Sequence, residues 1–198
     1  MASLAVALLE STRSHDRPSE VLEDEDLSVS LPRRLGLSGV VETQIQRYEA
    51  AARAGRPMPL EEFKSLLKLV LRRPDAEAIL RETGVRAATR QFEKVPGLAT
   101  TMVRKLPRAL GFIILARAQR KLLKNITGVD RLDVKGKPLV ARLHQSPTAM
   151  LEPAGVSCAL YGSAFEELAS LYVGKRAKVT HSRCMVNGGA ICQWTLDV

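Results

Sequence analysis

Residues 155–198, GVSCALYGSAFEELASLYVGKRAKVTHSRCMVNGGAICQWTLDV, contain the pattern on which the fold turns. From Ser157 to Tyr172 the apolar residues Leu160, Phe165, Leu168 and Leu171 repeat at helical spacing. Lys175–Arg183 and Ala190–Val198 then read as two strands about the turn Asn187-Gly188-Gly189. One helix therefore leads into one β-hairpin. All three cysteines of the chain, Cys158, Cys184 and Cys192, lie here, and His181 joins them in a C-x22-H-x2-C-x7-C series.

A three-residue loop at Asn187–Gly189 would set Val186 opposite Ala190 and Cys184 opposite Cys192, making the two thiols cross-strand neighbours. Glycine supplies the left-handed residue that such a loop requires. Cys158, at the start of the preceding helix, approaches from above. His181 lies three residues from Cys184, so a regular strand turns the two side chains to opposite faces. A bulge or bend near Ser182 is needed to bring the imidazole round. Three thiolates and one imidazole are a closed tetrahedral donor set for a structural zinc. The same residues also allow a Cys184–Cys192 disulfide or three unrelated buried thiols. The odd cysteine count, with no export signal ahead of Leu4, argues against a disulfide framework.

Working outward, Val129, Leu132 and Val134, then Leu139, Val140 and Leu143, flank the turn Lys135-Gly136-Lys137-Pro138 and predict a second hairpin. Pro147 and Pro153 mark a loop over 145–155. Gly97–Ile126 is long, apolar and basic, with Pro107 expected to kink or divide the helix. Val41, Ile45 and Tyr48 define a helix stopped by Gly55, Pro57 and Pro59. Phe63, Leu66, Leu67 and Val70 define a second, from Leu60 to before Pro74. Asp75–Thr83 reads as a third helix ended by Gly84, and Val85–Phe92 as a fourth. Helices first and strands later predict an α+β fold, with a helical N-terminal half followed by an antiparallel sheet packed on helices.

The cysteine before a Gly-containing helix, then the C…G…C hairpin closing on an aromatic residue, resemble the 4-vinyl-reductase-like domain family. Cys158, Gly162, Cys184, Gly188 or Gly189, Cys192 and Trp194 fill those places. The resemblance is good over about 45 residues, 155–198, and extends more weakly back to Val95. It implies the α+β fold of vesicle-tethering TRAPP subunits and of aromatic-sensing domains of transcriptional activators. In those sensors three cysteines and one acid hold a zinc, which maps the ligands onto Cys158, His181, Cys184 and Cys192. Histidine in the acid's place keeps the site competent and lowers its net negative charge. The resemblance also implies a pocket for a hydrophobic ligand between the helices and sheet upstream of the metal. Phe112, His144 and Tyr161 are the candidate lining residues. Stand-alone relatives accompany bacteriochlorophyll synthesis, named for reduction of a tetrapyrrole vinyl group.

The 198 residues carry 30 Lys+Arg against 21 Asp+Glu, a net charge of +9. Residues 1–30 balance at −5, whereas 81–124 alone balances at +9. The acidic head, with its Glu23–Asp26 run, predicts a disordered tail over 1–35; its sign would also allow it to lie on the basic body. Residues 36–94 form the expected helical, dimerising segment, and 95–198 the ligand-binding domain. The basic segment 81–124 suits a membrane surface or a protein partner. Aromatics at 4% and no DNA-reading motif count against nucleic acid. The longest apolar runs fall far short of a membrane span, and the expected location is the cytoplasm. With no nucleotide-binding glycine fingerprint, no nucleophile–base pair and a closed metal site, the expectation is a zinc-stapled sensor or carrier rather than an enzyme. Its ligand would be hydrophobic and could be anionic, such as a tetrapyrrole or lipid. The alternatives are an accessory or catalytic protein of bacteriochlorophyll vinyl reduction, and a regulatory or assembly protein acting through its basic helices.

Overall fold

The computed structural model describes residues 1–15, 39–56, 58–96, 108–127, 132–135, 138–144, 146, 148–173 and 176–197. In chain order the elements are α1 (Ala2–His15), α2 (Gly39–Arg53), α3 (Leu60–Leu71), α4 (Ala76–Glu93), α5 (Arg108–Thr127), β1 (Leu132–Lys135), β2 (Leu139–His144), α6 (Cys158–Val173), β3 (Lys178–Arg183) and β4 (Ile191–Asp197). The four strands form one antiparallel sheet in the order β1-β2-β4-β3. The fold is α+β, as the change of apolar period predicts.

Alternation sets the inner face of the sheet. Leu139, Ala141 and Leu143 of β2 and Cys192, Trp194 and Leu196 of β4 are buried, and α6 packs against β3 and β4. Helix α6 is apolar over more than one face: Leu160, Tyr161, Ala164, Phe165, Leu168, Ala169 and Tyr172 are all buried. One side meets the sheet and the other meets α4. Full burial of a side chain such as Phe165 or Leu168 favours the fold by about 2–3 kcal/mol.

Gly84 does not end a helix. Helix α4 runs unbroken through it because glycine serves packing there. A Cβ at this position would sit 2.9 Å from the Ala164 backbone nitrogen, and closer still to the Leu160 carbonyl oxygen and the Ser163 hydroxyl. Helices α4 and α6 approach to backbone contact where α4 has no side chain.

The expected acidic tail is also corrected over its first half. Residues 2–15 form α1, with Ala2, Leu4, Ala5, Val6, Ala7, Leu8 and Ser11 buried against α2, α3 and α4. The −5 of the first thirty residues sits after His15. Within α1 only Glu10 and Arg13 are charged at neutral pH apart from any charge on His15, so this segment has no surplus acid to solvate it. Glu10 is held by Arg86 and Arg90, and Arg13 pairs with Glu42 at 3.0 Å. The Glu23–Asp26 run lies outside the described residues, as do 97–107 with Pro107; α5 begins directly after that proline. Ile45, Tyr48, Phe63, Leu67 and Val70 are buried in one core with residues of α1 and α4, whereas Leu69 on α3 is exposed.

The α1–α4 seam is polar at its far end. Glu82 accepts from Ser14 at 2.8 Å and from Arg86 at 2.6 Å, and lies 3.1 Å from His15. Burial alone would raise its carboxyl, but the Ser14 hydroxyl, the Arg86 guanidinium and His15 outweigh it and hold it below the ordinary Glu value. Asp75 is lowered chiefly by hydrogen bonds from Arg73. A depressed folded value means stabilisation that is present above the ordinary value and lost as pH falls through the folded one. Acidification below the ordinary Glu value of 4.5 is therefore expected to loosen α1 before the sheet. Amide exchange across a pH series should show α1 losing protection first; equal loss in β2 and β4 would contradict this.

Candidate metal centre

Three elements converge on one point. Cys158 is the first residue of α6, its amide bound to the Gly155 carbonyl at 3.0 Å. Cys192 is the second residue of β4 and points inward beside Leu143 on β2. Cys184 follows β3 and begins a 3-10 turn, Met185–Asn187, closed by Gly188 at φ 78°. This turn replaces the expected three-residue loop. It is wider, and a Cβ at Gly189 would lie 3.0 Å from the Cys184 carbonyl oxygen.

The bulge that the spacing required is present. His181 pairs with Trp194, but Arg183 pairs with Gln193, leaving Ser182 as the extra residue. With the register shifted, the His181 imidazole reaches the face occupied by the thiols. It stacks on the Trp194 ring, with centroids 5.0 Å apart and planes at 12°.

The ligand atoms of Cys158, His181, Cys184 and Cys192 all lie within 4.8 Å of one another. Cys158 Sγ is 3.9 Å from both Cys184 Sγ and Cys192 Sγ. Zinc–sulfur bonds of about 2.3 Å at a tetrahedral angle place sulfurs ~3.8 Å apart. A disulfide requires roughly 2.05 Å, and all three cysteines are free thiols. The cluster thus has the spacing of a shared tetrahedral metal rather than of a cross-link or unrelated thiols. Cys158 and Cys192 form its buried wall, Cys184 is half-buried and His181 is exposed.

Its electrostatics favour one thiolate before any cation arrives. The Cys158 thiol donates toward Cys192 and lowers it strongly against the opposing cost of burial; His181, the Met185 amide and Cys184 add to the effect. The bond to Cys192, together with burial, pushes Cys158 up. Metal binding would displace the remaining thiol protons, since each sulfur coordinates as thiolate.

The loop before α6 braces this centre. Ser157 Oγ donates to the Thr148 carbonyl at 2.8 Å, and the Ser146 amide approaches Met185 Sδ at 3.3 Å. Tyr161, a candidate lining residue, shares a 2.7 Å hydrogen bond with the Thr148 hydroxyl. Burial raises its phenol to about 12. It packs edge-on against Trp194 at 5.7 Å as part of the core. His144, half-buried at the end of β2, pairs with Ile191. Phe112 falls on α5, and its side chain lies outside the described residues.

Two spaces border Trp194. The first, between α5, the sheet and α6, is a gap of about 10 Å³ among the described residues. The second is a cavity of about 400 Å³ on the other side of α6, between α4, the 154–156 loop and β3. Cys158, Gly162, Glu166, His181 and Trp194 border it, with Glu77 and Arg81 from α4. Sequence reasoning missed this cavity because part of its wall, Glu77 and Arg81, comes from α4, remote in the chain. The signal within reach was Trp194, the only tryptophan, two residues beyond Cys192 and therefore on the same face.

No helix among the described residues is long and apolar enough to cross a membrane. No family model matches the chain, and no solved structure matches it. The chain is similar to the bacteriochlorophyll synthase 23 kDa chain of Cereibacter sphaeroides, with 29% identity over 127 residues. That match covers 62% of this chain and 61% of the relative, so the chain matches less than two thirds of the relative's length.

Proposed function

We propose that the protein is a zinc-stapled small-molecule-binding protein, a sensor or carrier of the 4-vinyl-reductase-like kind, for a hydrophobic ligand such as a tetrapyrrole or lipid. The observation that carries this reading is the convergence of Cys158, His181, Cys184 and Cys192 within 4.8 Å. Three sulfurs and one imidazole suit zinc over harder cations. When bound, the metal supplies a cross-link between the start of α6 and the β3–β4 hairpin. The cavity that borders Cys158 and His181 gives the staple something to hold in shape. Similarity to a bacteriochlorophyll synthase chain supports a tetrapyrrole as the ligand class. The same similarity supports a second reading, an accessory protein of bacteriochlorophyll vinyl reduction.

Native mass spectrometry of the protein purified from its own host under reducing conditions tests the first reading. The expected spectrum shows one zinc per chain and a co-purified pigment or lipid. Metal-free protein would overturn it, and vinyl reduction by the purified chain with an added electron donor would favour the second reading.

A further inference from the structure

Helix α5 is anchored along one side and exposed along the other. Leu115, Gln119, Leu122 and Leu123 are buried, and the Gln119 side-chain amide donates to the Phe165 carbonyl of α6 at 2.8 Å. That bond fixes how the helix is turned about its axis. At about 100° per residue, Leu110, Ile113, Arg117, Arg120, Lys121 and Lys124 fall within an arc of roughly 100° on the opposite side. All six are exposed.

Two properties set this face apart from an ordinary solvated surface. Between Glu93 and Asp130 the chain has eight Lys and Arg and no acid, so no carboxylate of α5 offsets its cations. Leu110 and Ile113 are 49% and 50% exposed at the N-terminal end of the arc, and the cations follow them along the helix. A basic face alone suits any polyanion. Two large aliphatic side chains in the same arc suit a surface with an apolar layer beneath its charges. They are a cost against nucleic acid, whose interfaces are more polar. The long Arg and Lys stems let the charges stay at headgroup level while leucine and isoleucine enter below.

We propose that the outer face of α5 docks the protein on an anionic lipid bilayer. The helix lies along the interface, with Leu110 and Ile113 in the outer acyl layer and the four cations on lipid phosphates. None of the six residues belongs to the Cys/His cluster or lines the cavity beside it, so docking is independent of what binds there.

Co-flotation of the full chain with vesicles tests the assignment. The chain should float with vesicles of equal phosphatidylglycerol and phosphatidylcholine at low salt, be released at about 0.5 M salt, and ignore phosphatidylcholine alone. Arg120→Gln with Lys121→Gln should weaken binding roughly twentyfold. Lys68→Gln with Arg72→Gln, exposed on α3, removes the same charge and should weaken it less than about threefold. Leu110→Ser with Ile113→Ser should weaken it about tenfold at an unchanged thermal midpoint. No flotation, flotation on phosphatidylcholine alone, or equal losses from the α3 and α5 charge pairs would overturn the proposal. So would a Leu110/Ile113 double variant that floats like the parent: unaltered duplex DNA binding would then give the face to nucleic acid, and a halved mass in light scattering would give it to a second copy.

Discussion

Serine in place of Cys184 is expected to reduce bound zinc from one per chain to near zero and to lower the thermal midpoint by about 10 °C. A ligand held about a thousandfold below its free concentration contributes ~4 kcal/mol to the folded state. In a chain of this size each kcal/mol moves the midpoint by roughly 2–4 °C. Cys184 is the informative ligand because it is half-buried at the rim, where a serine hydroxyl is solvated without disturbing the core. Cys158 and Cys192 are buried, so their substitution would mix metal loss with packing loss. Chelation of the unaltered protein should reproduce the shift, and chelation of the Cys184→Ser protein should add nothing. Loosening should concentrate in the β3–β4 hairpin, because His181 on β3, Cys184 just after it and Cys192 on β4 are three of the four candidate ligands. Full zinc content in the variant, or a midpoint indifferent to chelator, would remove the staple from the account.

Gly84→Ala is expected to destabilise the fold by about 3 kcal/mol or more, although alanine is the better helix former by ~1 kcal/mol. The added methyl meets backbone atoms of Leu160 and Ala164, which cannot swing aside as a flexible side chain would. The two helices must separate, and the buried packing between them loosens with them. Gly111 on α5 is the control: a Cβ there meets nothing within 4 Å, so Gly111→Ala should be neutral or stabilising. Thermal denaturation of the two variants should move in opposite directions. A Gly84→Ala midpoint equal to the parent's would show that the helices slide apart at no cost.

The Cys/His cluster was legible to an unusual degree because its geometry is local. The spacing of His181 from Cys184 required an irregularity near Ser182, and the register shift there is the bulge observed. The hairpin loop was less legible: Asn187-Gly188-Gly189 suggested a tight turn, while the chain inserts a 3-10 turn from Met185. A left-handed glycine is common to both, so residue type alone does not separate them. Helix α1 escaped because its buried residues, Ala2 and then Leu4 through Leu8, run around most of its surface and leave no stripe to detect. Charge averaged over thirty residues then concealed a neutral segment beside an acidic one. Gly84 was misread for a related reason: punctuation and close packing use the same residue, and only the partner helix distinguishes them.

The contact at Gly84 also bears on what counts as a module in this chain. A cut near residue 94 would place α4 in one fragment and α6 in the other, although these are the helices whose backbones touch. The cysteine-bearing half expressed alone would present the α4-facing side of α6 to water, including the contact surface around Leu160 and Ala164. Helix α4 also supplies Glu77 and Arg81 to the cavity beside the Cys/His cluster. The unit to clone, to search with and to transplant is therefore α4 joined to the segment after it, not the cysteine domain by itself.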